Sequence, residues 1–190
     1  MDLTFALRRK EVVESVPAIS KMVERWPALF TEDQVYMEFN RIAGKNLEQE
    51  FYEGIDRHSP RLMEIFWSKR GNVGKQLTEL TQQTRDSDDD DSFRHIEVGI
   101  LLVEREGAAL SSLHLSPASV KIIIEGAVMM DNIEDLPKAM CLLFGLSYAL
   151  HLNYPKSMKL TFQFIQQVLL TLGHSELKPK LQTLKNQLAM

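Results

Sequence analysis

Apolar and polar positions alternate along this chain with two different periods, and the change falls near residue 93. Before it, apolar side chains recur every three or four residues between clear stop and start signals, the pattern of short amphipathic helices. A first helix is predicted from Thr4 to Glu14. Pro17 ends it or opens the next helix at its first position, with Ser15 as cap, and Trp26-Pro27 breaks that second helix. Thr31-Glu-Asp-Gln34 matches a capping box ahead of Val35, Phe39 and Ile42. Gly44 stops that helix, and Asn46 caps one striped by Leu47, Phe51 and Ile55. Ser59-Pro60 opens another carrying Leu62, Ile65 and Phe66, and Gly71-Asn72 separates it from a weaker helix through Leu77 and Leu80.

Residues 85–92, RDSDDDDS, interrupt the pattern. Like charges at this density repel and bury nothing, so an exposed, dispensable loop is expected. Beyond it Ile96–Glu104 and Ser119–Met130 are β-branched and apolar, which predicts strands, with Gly126 as a turn or bulge. Two or three strands do not stand alone in water. Their natural cover is the stretch from Ala139 to Leu152, apolar on every side apart from Ser147 and His151. A helix of that kind belongs in a core or a membrane. This one runs for about 16 residues before the Tyr154-Pro155 corner, short of the roughly 20 that cross a bilayer, so a core helix is expected and no membrane span. A second helix over Lys156–Leu172 and a Ser175-capped helix over Glu176–Leu188 close the chain. The predicted fold is α+β and mainly α-helical: a helical N-terminal half, and a small β element packed on an apolar C-terminal helix pair. One domain is expected over residues 1–190, with helices over residues 1–84, an acidic loop over 85–92, and the β element with the C-terminal helices over 93–190.

Five runs of the chain, TFALRRKEVV (4–13), RWPALF (25–30), DRHSPRL (56–62), LFGLSYALHLNYPK (143–156) and LKPKLQTLKNQL (177–188), resemble in wording and order the C-terminal region of a fish-expanded, mostly uncharacterised family of intracellular proteins. Some of its members are described as sterile alpha motif (SAM) domain-containing proteins. The resemblance carries no catalytic motif to transfer. No SAM domain is present in this sequence, and family members have a longer segment where this chain has its aspartate run.

Charge sharpens the picture. The chain is 190 residues long with a net charge of -4, but residues 76–150 carry an acidic excess and residues 151–190 carry five lysines against Glu176 alone. Acidic middle and basic tail can attract each other, within one fold or between two copies. Neither has the dense arginine and lysine patch of a nucleic-acid binder. The single cysteine, Cys141, lies in the apolar helix, so no disulfide forms within the chain, which fits a reducing compartment. With no signal-peptide pattern in MDLTFALRRKEVV, an intracellular location, cytoplasmic or nuclear, is expected.

The candidate chemistry is thin. Gly71-Asn-Val-Gly74-Lys75 lacks both the earlier glycine and the following Ser/Thr of a phosphate-binding loop, and a helix-terminating turn accounts for it better. Counting an EF-hand from Asp86 puts Asp91 where glycine is essential. His58, His95, His114, His151 and His174 form no metal-ligand pair, and Cys141 stands too far from His151 along one helix for a thiolate pair. No catalytic residue, cofactor or metal is implied. What remains is recognition. Leu177, Leu181, Leu184 and Leu188 form one stripe of the last helix, surrounded by Lys178, Lys180 and Lys185, and this is the candidate partner-binding surface. The function it suggests is a protein-interaction or self-association module with no catalytic activity, its protein partner unknown or a second copy in a homo-oligomer. The alternatives are a nucleic-acid-binding domain using the lysine-rich tail and an enzyme whose site is invisible in sequence.

Overall fold

The computed structural model describes residues 2–68, 95–103, 117–173 and 177–189. The chain is mainly helical with a three-stranded antiparallel sheet, the α+β class that the periodicities predict. The glycine-lysine turn at 71–75, the aspartate run, His114 and His174 lie outside the described residues. Two compact units emerge, one from Met1–Gln49 and Phe93–Phe162, the other from Glu50–Ser92 and Gln163–Met190.

In the first unit, α1 (Phe5–Lys10) continues into a π-helical turn, Glu11–Ser15, that ends with Val16 in the left-handed region at φ 42°. The predicted helix over Thr4–Glu14 is thus two pieces. Pro17 disfavours the right-handed helical region for the residue before it, so the turn ends at Val16. Helix α2 (Ile19–Arg25) does not use Ser15 as its cap. Its first amide, Ile19 N–H, donates instead to the Glu125 carboxylate at 3.0 Å. A 3-10 turn over Pro27–Phe30 leads to α3 (Glu32–Ala43), and Gly44 closes it at φ 69° as predicted. The capping box is not made: the Thr31 hydroxyl donates backwards to the Ala28 carbonyl at 2.9 Å. Asn46 does cap the next helix, accepting from Gln49 N–H at 3.1 Å. That helix, α4 (Leu47–Ser68), runs straight through Pro60 where two helices were predicted. Proline removes one backbone donor, while the Ser59 hydroxyl donates to the Ile55 carbonyl one turn back at 2.6 Å.

The sheet has the order β1 (Val98–Val103), β2 (Ser119–Ile124), β3 (Ala127–Ile133). The run from Ser119 to Met130 is a hairpin, and Gly126 lies in its turn, one of the two roles predicted for it. Glu125 and Gly126 both have positive φ, 51° and 72°, the backbone of the two-residue turns whose twist suits a hairpin. Val120, Ile122, Ile123 and Ile124 are buried, and all three strands pack on α5 (Leu136–Ala149). Asp135 caps α5 by accepting from Lys138 N–H at 2.7 Å. The other flank of α5 meets α3. Gly145 permits that approach, because a Cβ there would lie 2.6 Å from Val35 Cγ1 and 2.8 Å from Leu47 Cδ2. An aromatic cluster of Phe39, Phe144, Tyr148, Tyr154 and Phe162 fills the space beside it.

This unit also buries an ion pair. Arg8 and Glu38 are 1% and 2% exposed, with Nη2 to Oε2 at 2.6 Å and Nε to Oε1 at 3.3 Å. Arg41 reaches the same carboxylate at 2.9 Å, and the Trp26 ring lies 5.7 Å from the Arg8 guanidinium.

In the second unit, residues from Glu50 onward in α4 meet a π-helical turn at Ile165–Leu169, which ends the helix begun by α6 (Lys159–Phe164). Gly54 faces Leu169 so closely that a Cβ would sit 2.9 Å from its carbonyl oxygen. Helix α7 (Pro179–Leu188) completes the unit, its Gln187 carbonyl accepting from Arg61 Nε at 3.1 Å.

Candidate functional site

Pro179 sets where α7 begins. Its ring fixes a helical φ at the first position, where the missing N–H costs nothing, so Lys178 is the N-cap residue and Leu177 precedes the helix. Ser175 and Glu176, predicted to start it, lie outside the described residues. Of the leucine stripe, Leu181 is buried, while Leu177, Leu184 and Leu188 are half-buried. Lys178, Lys180 and Lys185 are exposed, and among the described residues none of the three is paired with a carboxylate.

The first unit has the opposite imbalance around Lys138. Its ammonium lies 2.9 Å from Glu32 and 3.9 Å from Glu134. The hydrogen bond to Glu32, and after it the charges of Glu32, Glu134 and Glu48, hold the Lys138 pKa above its ordinary value. Asp135 stands beside them as the α5 cap. Three carboxylates on one ammonium, with Asp135 next to them, leave a negative surface; Glu134 and Asp135 lie in the acidic stretch that the sequence shows, while Glu32 and Glu48 join it from outside that stretch.

A cleft of about 360 Å³ lies in the first unit, between α1 and the chain leaving α5. Sequence reading missed it, since Arg9 is 139 residues from its hydrogen-bond partner, the Tyr148 carbonyl at 2.9 Å. The end of α5 explains the shape. Leu152 N–H bonds to the Ser147 carbonyl at 2.8 Å and His151 N–H to the Tyr148 carbonyl at 3.3 Å, the paired bonds of a Schellman ending. The predicted continuation of the helix to Leu152 fails because His151 turns left-handed, at φ 52°. Glycine suits that position best. His151→Gly should therefore stabilise the protein by about 0.5–1 kcal/mol, the left-handed penalty less the extra freedom of glycine when unfolded. A thermal melt a few degrees higher is the expected reading; a lower one would mean that the imidazole makes a contact worth more than the strain.

Other reactive groups are muted. Burial pushes the Cys141 thiol up to about 12, so it carries no thiolate at neutral pH. Burial, with the Arg57 charge behind it, lowers the His58 pKa. Burial likewise raises that of Tyr154, and its hydrogen bond with Tyr148 adds to the effect. Among the described residues no group of three His, Cys, Asp or Glu side chains could hold a metal. No described helix is long and apolar enough to cross a membrane.

Residues 1–31 match the family model described as sterile alpha motif domain-containing protein 3, helical domain. That span holds two of the five runs on which the sequence resemblance rests, and it supports a relation to that family. It takes in α1, the π-helical turn after it, α2 and the 3-10 turn. Comparison with curated proteins and with solved structures finds no match.

Proposed function

We propose that the chain is a self-association module, in which α7 of one copy docks on the acidic surface around Lys138 of another. The observation that carries this reading is the complementary imbalance: three exposed lysines, Lys178 at the α7 N-cap with Lys180 and Lys185 on the helix, without carboxylate partners among the described residues, and three carboxylates, Glu32, Glu48 and Glu134, acting on one ammonium. Opposite charges at an interface rim raise the rate of encounter and fix the partner more than they add affinity. The half-buried Leu184 and Leu188 supply apolar area beside the lysines, and its burial would hold the complex once formed.

Sedimentation across protein concentration tests it. Association should weaken as salt rises, because exposed charges are screened beyond about 10 Å at 0.1 M. The triple variant Lys178→Glu, Lys180→Glu, Lys185→Glu should be monomeric. Mixing it with Glu32→Lys, Glu134→Lys chains should restore a hetero-pair that neither forms alone. A monomer at every concentration would reject the reading. Retardation of RNA or DNA that disappears in the triple variant would give the lysines to nucleic acid instead.

A further inference from the structure

We infer that the cleft beside Arg9 is a binding site for a small organic oxyanion, a carboxylate or phosphate attached to an apolar or aromatic body. Arg8 and Arg41 both hold Glu38, and Arg25 holds Glu11 at 2.7 Å. Arg9 is half-buried and, among the described residues, has no carboxylate; its one hydrogen bond is the single Nη1 contact to the Tyr148 carbonyl. A guanidinium carries five N–H donors in a rigid fork. Bonding one of them to a helix-end carbonyl leaves the Nε–Nη2 edge, the edge that grips a carboxylate or phosphate through two parallel bonds.

The surroundings favour an anion. None of the described side chains lining the cleft is acidic. The carboxyl end of α5 contributes about half a negative charge, but its Ser147 and Tyr148 carbonyls are already bonded, and the full charge on Arg9 exceeds it. His151 and Asn153 stand exposed among the lining residues as further polar groups. The Tyr148 and Tyr154 rings and Leu152 offer the flat, apolar wall that a ring-bearing acid would stack on. The volume lies within the roughly 300–1,000 Å³ of small-molecule sites. This site is independent of the α7 lysines.

The test is a titration of the full chain at low salt with benzoate, phenyl phosphate and, as the uncharged control, benzyl alcohol, followed by the backbone amide signals of residues 147–154. Both anions should move these signals saturably, benzyl alcohol should not, and the tighter anion identifies the group preferred. Arg9→Gln, which keeps a donor for the Tyr148 carbonyl but loses the charge, should weaken binding roughly tenfold or more. Asn153→Asp changes only an exposed side chain and puts a negative charge at the mouth; it should weaken binding several-fold in a folded protein. Equal response to benzyl alcohol, unchanged benzoate binding in both variants, or no movement with either anion would overturn the proposal.

Discussion

Replacing Glu38 with alanine should cost about 3–5 kcal/mol of folding stability, because it strands a guanidinium that is 1% exposed. Arg8 and Glu38 are both out of water, and the carboxylate satisfies Arg8 through two hydrogen bonds while also holding Arg41. Taking a charge from water costs several kcal/mol, which a close partner offsets and an empty space does not. Arg41 would then add repulsion where it now shares an anion. The double variant Arg8→Met, Glu38→Leu should recover most of the loss, since apolar residues of similar volume often replace a buried pair without penalty. Urea unfolding of the parent and these two variants measures this. A loss below about 1 kcal/mol for Glu38→Ala would mean that water reaches Arg8 readily, and the pair would then count as a surface bridge.

Leu143→Asp should be more damaging still. Leu143 has no exposed surface and sits in the middle of α5, between the sheet and α3. An aspartate there has no partner and no route to solvent, so the cost should exceed about 4 kcal/mol, a large share of the roughly 5–15 kcal/mol that holds a typical domain folded. No cooperative thermal melt is expected. Leu136→Asp makes the contrast on the same helix. Leu136 is 39% exposed at the first helical position, where an acid favours the helix dipole, so its melt should stay close to that of the parent. Equal effects from the two substitutions would show that α5 is not the core element.

How much of this was legible follows from the range of the interactions. Gly44, Asn46 and the glycine after Glu125 act on their own neighbours, so their roles can be read locally, and the all-round apolar character of α5 announces burial on several sides. The stripe of α7 was equally plain; Leu181 is its buried member, and the lysines are exposed as an amphipathic helix requires. The errors lie where a distant group overrode a local signal. Ser15 and Thr31 look like caps, but Glu125 reaches α2 from 106 residues away, and Thr31 finds a closer acceptor in Ala28. Arg8 and Arg9 are adjacent and alike in sequence. One points inward to Glu38 and the other into the cleft, and nothing in the run LRRK distinguishes them. Pro60 reads as a helix start because its neighbours do not reveal that α4 can continue through the lost bond.

The Glu125 contact also bears on the order of events during folding. Helix α2 has seven residues and no side-chain cap of its own, too short to persist alone in water. Its first amide is satisfied only when the β2–β3 hairpin has formed and turned Glu125 toward it. The hairpin closes a two-residue loop, an event of microseconds, whereas the bond to α2 spans 106 residues and must await a much larger closure. The turn therefore acts as a late clasp, making α2 and the sheet melt as one cooperative unit. The amides of α2 should then exchange with solvent at the rate set by opening of the hairpin, not by fraying of a short helix.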